Sequence, residues 1–139
     1  MTRQYVTFSI AGALYGLQVL RVEETLGHLN RTPVPLAPKG IAGLVNLRGQ
    51  VVTTIDLRPK LGLEPLGPKD ESMMIVIDVE GESISLLVDS VGEVLSLSQD
   101  TFEPAPPTLT DEMRALVTGA FKLDSTLLLA LDVSAVLAA

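Results

Sequence analysis

A chain of 139 residues, 47% hydrophobic and 19% charged, is long enough to fold one ordinary domain around a real core and too apolar to stay disordered. Its net charge of −7, with no run of basic residues, argues against nucleic acid and anionic membrane as partners. It has no cysteine, which excludes disulfides and thiolate metal sites.

The opening residues hold no apolar stretch long enough for a signal peptide. The most hydrophobic segment, TLLLALDVSAVLAA, is too short to span a bilayer and contains Asp132. Both features predict a soluble, cytoplasmic protein.

In YVTFSI, Val6, Phe8 and Ile10 share one face of a strand, with Tyr5, Thr7 and Ser9 on the other. Ala11-Gly12 is turn chemistry, and LYGLQV returns as a second strand. LRVEETLGH fits neither a two-residue nor a 3.6-residue period, and both a helical turn and a strand stay open there. RTPVPLAPKG, with three prolines, is an irregular extended connection. IAGLVNL and QVVTTIDL are strands joined tightly around Arg48-Gly49, and DLRPKLGL curls into a helical turn stopped by Gly62.

EPLGPKDE is a polar linker that marks a boundary between two halves. SMMIVIDV and SISLLVDSV flank EGE as a hairpin. PAPP breaks the chain, and TDEMRALV forms a short helix capped by Thr110 or Asp111. GAFKL and TLLLALDV make a last hairpin around Asp124-Ser125, followed by a helical stub in SAVLAA. Nine or ten short strands without a long amphipathic helix predict an all-β barrel or sandwich. No internal repeat is legible.

Arg48 puts a full charge inside an apolar stretch. Carrying strand parity through the turn places Ile41, Val45, Leu47, Val51, Thr53, Ile55 and Leu57 on the apolar face. Asn46, Arg48, Gln50, Val52, Thr54 and Asp56 fall on the polar one. Arg48 then projects outward from a hairpin tip. Spacing alone leaves open whether it is a solvated turn residue or an interface anchor.

Catalytic chemistry is sparse. His28 is the single histidine, no G-x-S-x-G elbow or phosphate-cradling glycine loop occurs, and histidine or cysteine metal clusters cannot be assembled. Asp56, Asp78, Asp89 and Asp132 each follow an apolar run, and the simplest reading makes them strand-end caps or solvated residues. LLVDSVG is similar to the Asp-Ser/Thr-Gly loop of small dimeric aspartic proteases, but Val91 stands where the glycine should follow. A β-rich acid hydrolase using Asp89 is therefore the competing function.

Four stretches in order carry a resemblance: FSIAGALYGLQVLRVEE, IAGLVNLRGQVVTTIDLRPKLGL, LLVDSVGEVLSL with its V-D-x-V core, and LLLALDVSAVL. NLRG, then DL, then VD-x-V at matching distances resembles the CheW family of bacterial chemotaxis scaffold proteins over nearly the whole chain. Similar domains end CheA kinases and begin CheV proteins.

The resemblance implies one CheW-like domain over 1–139, all-β, made of two five-stranded β-barrel subdomains packed over a shared apolar seam, with minor short helices. One barrel is expected to take residues 7–70 with the last strand near 127–137, and the other 1–6 and 72–126, so that the first and last strands serve different barrels. It also implies a protein without activity, cofactor or metal. Such a protein couples the cytoplasmic hairpin tip of a chemoreceptor to the regulatory domain of a CheA-type histidine kinase, as a monomer alone or within larger arrays.

Receptor contact maps to Val22, Glu24 and Arg48, with Gly43 and Leu47 shaping the same surface. Kinase contact maps to Val88, Val91 and Val94, with Phe102 and Glu103 of the QDTFEPAPP loop in ring-forming contacts. Val88 and Val91 have opposite parities, so one of them is expected in the core. Thr53 replaces a usual proline, Thr25-Leu26 replace an aliphatic and often basic pair, and Glu103 stands where a basic residue is frequent. These departures mark a divergent member.

Overall fold

The computed structural model describes residues 1–35, 37, 40–67 and 70–138. The first half runs β1 (Thr2–Ile10), β2 (Ala13–Gln18), a 3₁₀ turn (Val19–Arg21), β3 (Val22–Leu26), β4 (Ile41–Leu47), β5 (Gln50–Asp56) and α1 (Leu57–Lys60). The second runs β6 (Met73–Val79), β7 (Glu82–Val88), β8 (Ser90–Ser98), a 3₁₀ turn (Gln99–Thr101), α2 (Asp111–Leu116), β9 (Val117–Lys122), β10 (Leu127–Leu131) and α3 (Val133–Ala138). The open LRVEETLGH segment thus holds a turn and then a strand. β8 has no separate signal, because Asp89 and Ser90 follow β7 without turn residues.

Three hairpins close through two-residue turns whose residues all have positive φ: Ala11-Gly12, Arg48-Gly49 and Glu80-Gly81. This is the turn whose twist matches paired strands, and glycine at its second position relieves the steric cost. Thr110 caps α2, its hydroxyl accepting from the Met113 N–H at 3.1 Å.

The strands form two five-stranded sheets, ordered β8-β1-β2-β10-β9 and β3-β6-β7-β5-β4. These pairings divide the chain differently from the expected boundaries. Residues 1–6 and 7–10 belong to one strand, β6 and β7 part from β8, and β1 and β10 lie in the same sheet. The main-chain ladder decides membership, and no composition change marks it.

A repeat nonetheless runs through the topology. In each sheet a hairpin (β1–β2, β6–β7) pairs in parallel with the second strand of another hairpin (β9–β10, β4–β5), and an edge strand (β8, β3) completes it. Each sheet takes two strands from one half of the chain and three from the other. Equivalent residues follow from the registers. Val22 opposite Ile77 matches Val91 opposite Phe8, and Thr53 opposite Ile84 matches Leu129 opposite Tyr15. Asp56 then matches Asp132, and Gly43 matches Gly119.

The core has three parts. A large cluster lies between the sheets, with Phe8, Ile10, Tyr15 and Leu129 from the first and Ile55, Ile75, Ile77, Leu86 and Val88 from the second. Tyr5, Phe121, Leu128 and Ala130 pack on the other face of the first sheet, and Val45, Met74 and Leu87 on the other face of the second. Both sheets are thus apolar on both faces, joined over a common seam.

Candidate functional site

Arg48 has φ 52° at the tip of the β4–β5 hairpin, where the Gly49 N–H donates to Asn46 Oδ1 at 2.8 Å. The guanidinium forks onto Glu24 of β3: Nη1 donates to Oε2 at 3.3 Å, and Nη2 donates to Oε1. β3 and β4 are the two edge strands of the second sheet, and this ion pair joins a β3 side chain to the turn that leaves β4. Further along, a backbone bridge joins Thr32, in the segment after β3, to Leu44 on the outer edge of β4, both hydrogen bonds at 2.8 Å.

The pair lies open to solvent, Arg48 at 68% side-chain exposure and Glu24 at 28%. The Arg48 fork holds the Glu24 carboxyl below its ordinary value, slight burial opposing it, and Glu24 raises Arg48 in turn. Arg48 is therefore outward-facing, as parity predicted, and paired as well.

The parity argument itself fails on β5. A two-residue turn sets Leu47 opposite Gln50 and Val45 opposite Val52, which exchanges odd and even positions between the arms. Val52 and Thr54 are buried, and Val51 is 64% exposed beside Arg48. Sequence reasoning missed Val51 as a surface residue. The register of the Arg48-Gly49 turn was the signal that could have found it.

The other receptor candidates are less exposed than Arg48. Val22 is half-buried against the seam and Leu47 is half-buried. Gly43 is buried with φ 145°, and a Cβ there would stand 2.6 Å from the Thr32 carbonyl oxygen, so it permits the Thr32–Leu44 bridge.

The kinase candidates do not form one surface. Val88 is fully buried in the seam cluster, which corrects its expected contact role, and Val91 packs against the same cluster. Val94 is 54% exposed. Phe102 is exposed with its ring 5.2 Å from Phe121. Glu103 bridges Ala120 through its backbone and approaches Lys122 Nζ at 3.7 Å, a structural role like that of Thr32.

Asp89 is held as a clamp. Arg58 donates from Nε to Oδ1 at 3.0 Å and from Nη2 to Oδ2 at 2.6 Å, and the Ala11 N–H donates to Oδ2 at 2.8 Å. Burial pushes this carboxyl up, but the Arg58 fork, the Ala11 N–H and the guanidinium charge outweigh it and hold the group below its ordinary value. Both oxygens are taken by Arg58 and the Ala11 N–H, where an acid-protease dyad would set a second carboxyl against Asp89. Asp56 and Asp132 cap α1 and α3, accepting from Arg58 N at 3.0 Å and Ala135 N at 3.2 Å. His28 Nδ1 rests 3.0 Å from Ser72 Oγ. No described helix is long and apolar enough to cross a membrane.

The family model described as CheW-like domain matches residues 4–139. The crystal structure of the scaffolding protein TtCheW from Thermoanaerobacter tengcongensis superposes with a TM-score of 0.82 at 34% identity, covering 96% of this chain and 90% of that one. The chemotaxis protein CheW of Rhizobium meliloti is 27% identical over 134 residues, 96% of this chain and 86% of its own length. That of Klebsiella aerogenes is 28% identical over 135 residues, 97% and 81% of the respective lengths.

Proposed function

The chain belongs to the CheW-like family, and from that premise we propose that it is a non-catalytic adaptor joining a chemoreceptor's cytoplasmic hairpin tip to the regulatory domain of a CheA-type histidine kinase. The observation that carries the receptor half is an exposed guanidinium on a rigid two-residue turn, with exposed Val51 beside it. Arg48 supplies forked donors to carbonyl or carboxylate groups of a helical tip, and Val51 and Val22 supply apolar area. Glu24 holds the guanidinium in its outward pose, while Gly43 and Leu47 form the scaffold beneath. Val94 on β8 and, separately, the segment around Phe102 and Glu103 are the exposed positions left to face the kinase.

The test uses a receptor cytoplasmic fragment and isothermal titration. Arg48→Glu lowers affinity about thirtyfold, as loss of an interface anchor does, without changing the thermal melt. The exchange Arg48→Glu with Glu24→Arg keeps an ion pair and still binds weakly, because the guanidinium now stands on the wrong strand. Full affinity in the single variant refutes the assignment of Arg48. Restored affinity in the exchange shows that only the ion pair matters.

A further inference from the structure

The internal repeat identifies a place where the two halves differ. In the second sheet, Asp56 uses one oxygen to cap α1 and the other, Oδ2, to accept the Leu66 N–H at 2.8 Å. Leu66 itself packs on the cluster of Val45, Met74 and Leu87, beside Ala42. The linker after α1 thus lies across the end of that sheet and plugs it.

In the first sheet the equivalent aspartate, Asp132, caps α3 through Oδ1, and Oδ2 accepts no hydrogen bond from any described residue. The positions matching Met74, Leu87 and Ala42 are Tyr5, Gln18 and Thr118. Together with Asp132 they line a cavity of about 460 Å³. No described residue occupies the place that Leu66 takes opposite. Arg3 and Arg21 stand at the same cavity, and neither makes an ion pair or side-chain hydrogen bond among the described residues.

Two arginines without an ion-pair partner among the described residues line one hollow, in a chain of net charge −7. They favour carboxylates. The adjoining Asp132 repels a bare anion but welcomes an N–H donor. A peptide satisfies both, as Leu66 already does at the equivalent aspartate.

We propose that this cavity docks an extended acidic segment of another polypeptide, which gives a backbone N–H to Asp132 Oδ2 and carboxylates to Arg3 and Arg21. The segment lies on the end of the first sheet, apart from Arg48 on the second, so the proposal stands without the receptor assignment. Tyr5 and Ala130, from the outer cluster of that sheet, give the cavity an apolar side for a small or aliphatic side chain between the two acids.

The experiment records amide shifts of the isotope-labelled full chain with a capped peptide, Glu-Leu-Glu-Leu-Glu. Controls are Lys-Leu-Lys-Leu-Lys, inorganic phosphate and dilution of the protein alone. The acidic peptide shifts the Gly16, Gln18 and Asp132 amides with a Kd of about 1 mM, and each of Arg3→Gln and Arg21→Gln weakens it about fivefold. Both arginines are exposed, so the variants keep the wild-type melt. No movement of these amides at about 10 mM acidic peptide overturns the proposal. So does equal binding of the lysine peptide, or the same pattern from phosphate, which marks a small-anion site. Shifts that follow protein concentration alone give the cavity to a second copy, and overturn it too.

Discussion

Replacing Asp89 by alanine tests what holds the two sheets together. Asp89 links β7 of the second sheet to β8 of the first, Ala11 sits in the β1–β2 turn of the first, and Arg58 opens α1 behind the second. Three hydrogen bonds, two of them charge-assisted, converge on this carboxylate. Removing it strands a guanidinium only 22% exposed and leaves the Ala11 N–H without its acceptor. Breaking a fully buried pair costs about 3–5 kcal/mol. Here water reaches both partners in part, which lowers the expected loss to about 2 kcal/mol. For a domain of this size that is a fall in Tm of about 7 °C. Asp89→Asn keeps an acceptor for Ala11 and one for Arg58, and loses about 1 kcal/mol. Guanidinium chloride denaturation of both variants, and of Arg58→Leu alone and with Asp89→Ala, measures the coupling. Because the same contacts are lost once, the double variant falls short of the summed singles by about 1 kcal/mol. A loss below about 0.5 kcal/mol for Asp89→Ala refutes the clamp. Loss of a peptidase activity at unchanged stability would restore the hydrolase reading.

The Asp89 carboxyl is held below its unfolded value of about 3.9, so its stabilisation is complete above that pH and disappears as the pH falls through the lower folded value. Acid titration of stability therefore shows wild type converging on Asp89→Asn below about pH 4, and a constant gap down to pH 2 contradicts this. Gly43→Ala sets a methyl 2.6 Å from the Thr32 carbonyl in a backbone that favours glycine. It costs more than about 2 kcal/mol by chemical denaturation. Gly119→Ala, 2.5 Å from the Glu103 carbonyl at the equivalent position of the repeat, is destabilised likewise. Val94→Asp leaves the melt unchanged and weakens binding of a CheA regulatory domain about tenfold, whereas Val88→Asp buries an unpaired carboxylate and does not fold.

Local chemistry by itself determined the punctuation of this protein. Ala11-Gly12, Arg48-Gly49 and the Glu80-Gly81 pair dictate tight turns wherever they occur, and Asp56, Thr110 and Asp132 announce the helices that they cap. The NLRG and VD-x-V stretches carry the family, because those residues stand at turns and sheet junctions whose geometry tolerates few alternatives. What only the tertiary structure decided is which face of each strand meets which core. Bulges on β3, β4, β8 and β9 break the two-residue alternation. Val22 and Leu26 share parity on β3, yet one faces the seam and the other the inner cluster of its sheet. A strand buried on both sides has no polar face to reveal its register. The twofold topology was hidden for the same reason. Its marks are hydrogen-bond partners and close approaches such as those at Gly43 and Gly119, which exist only once distant strands have been brought together.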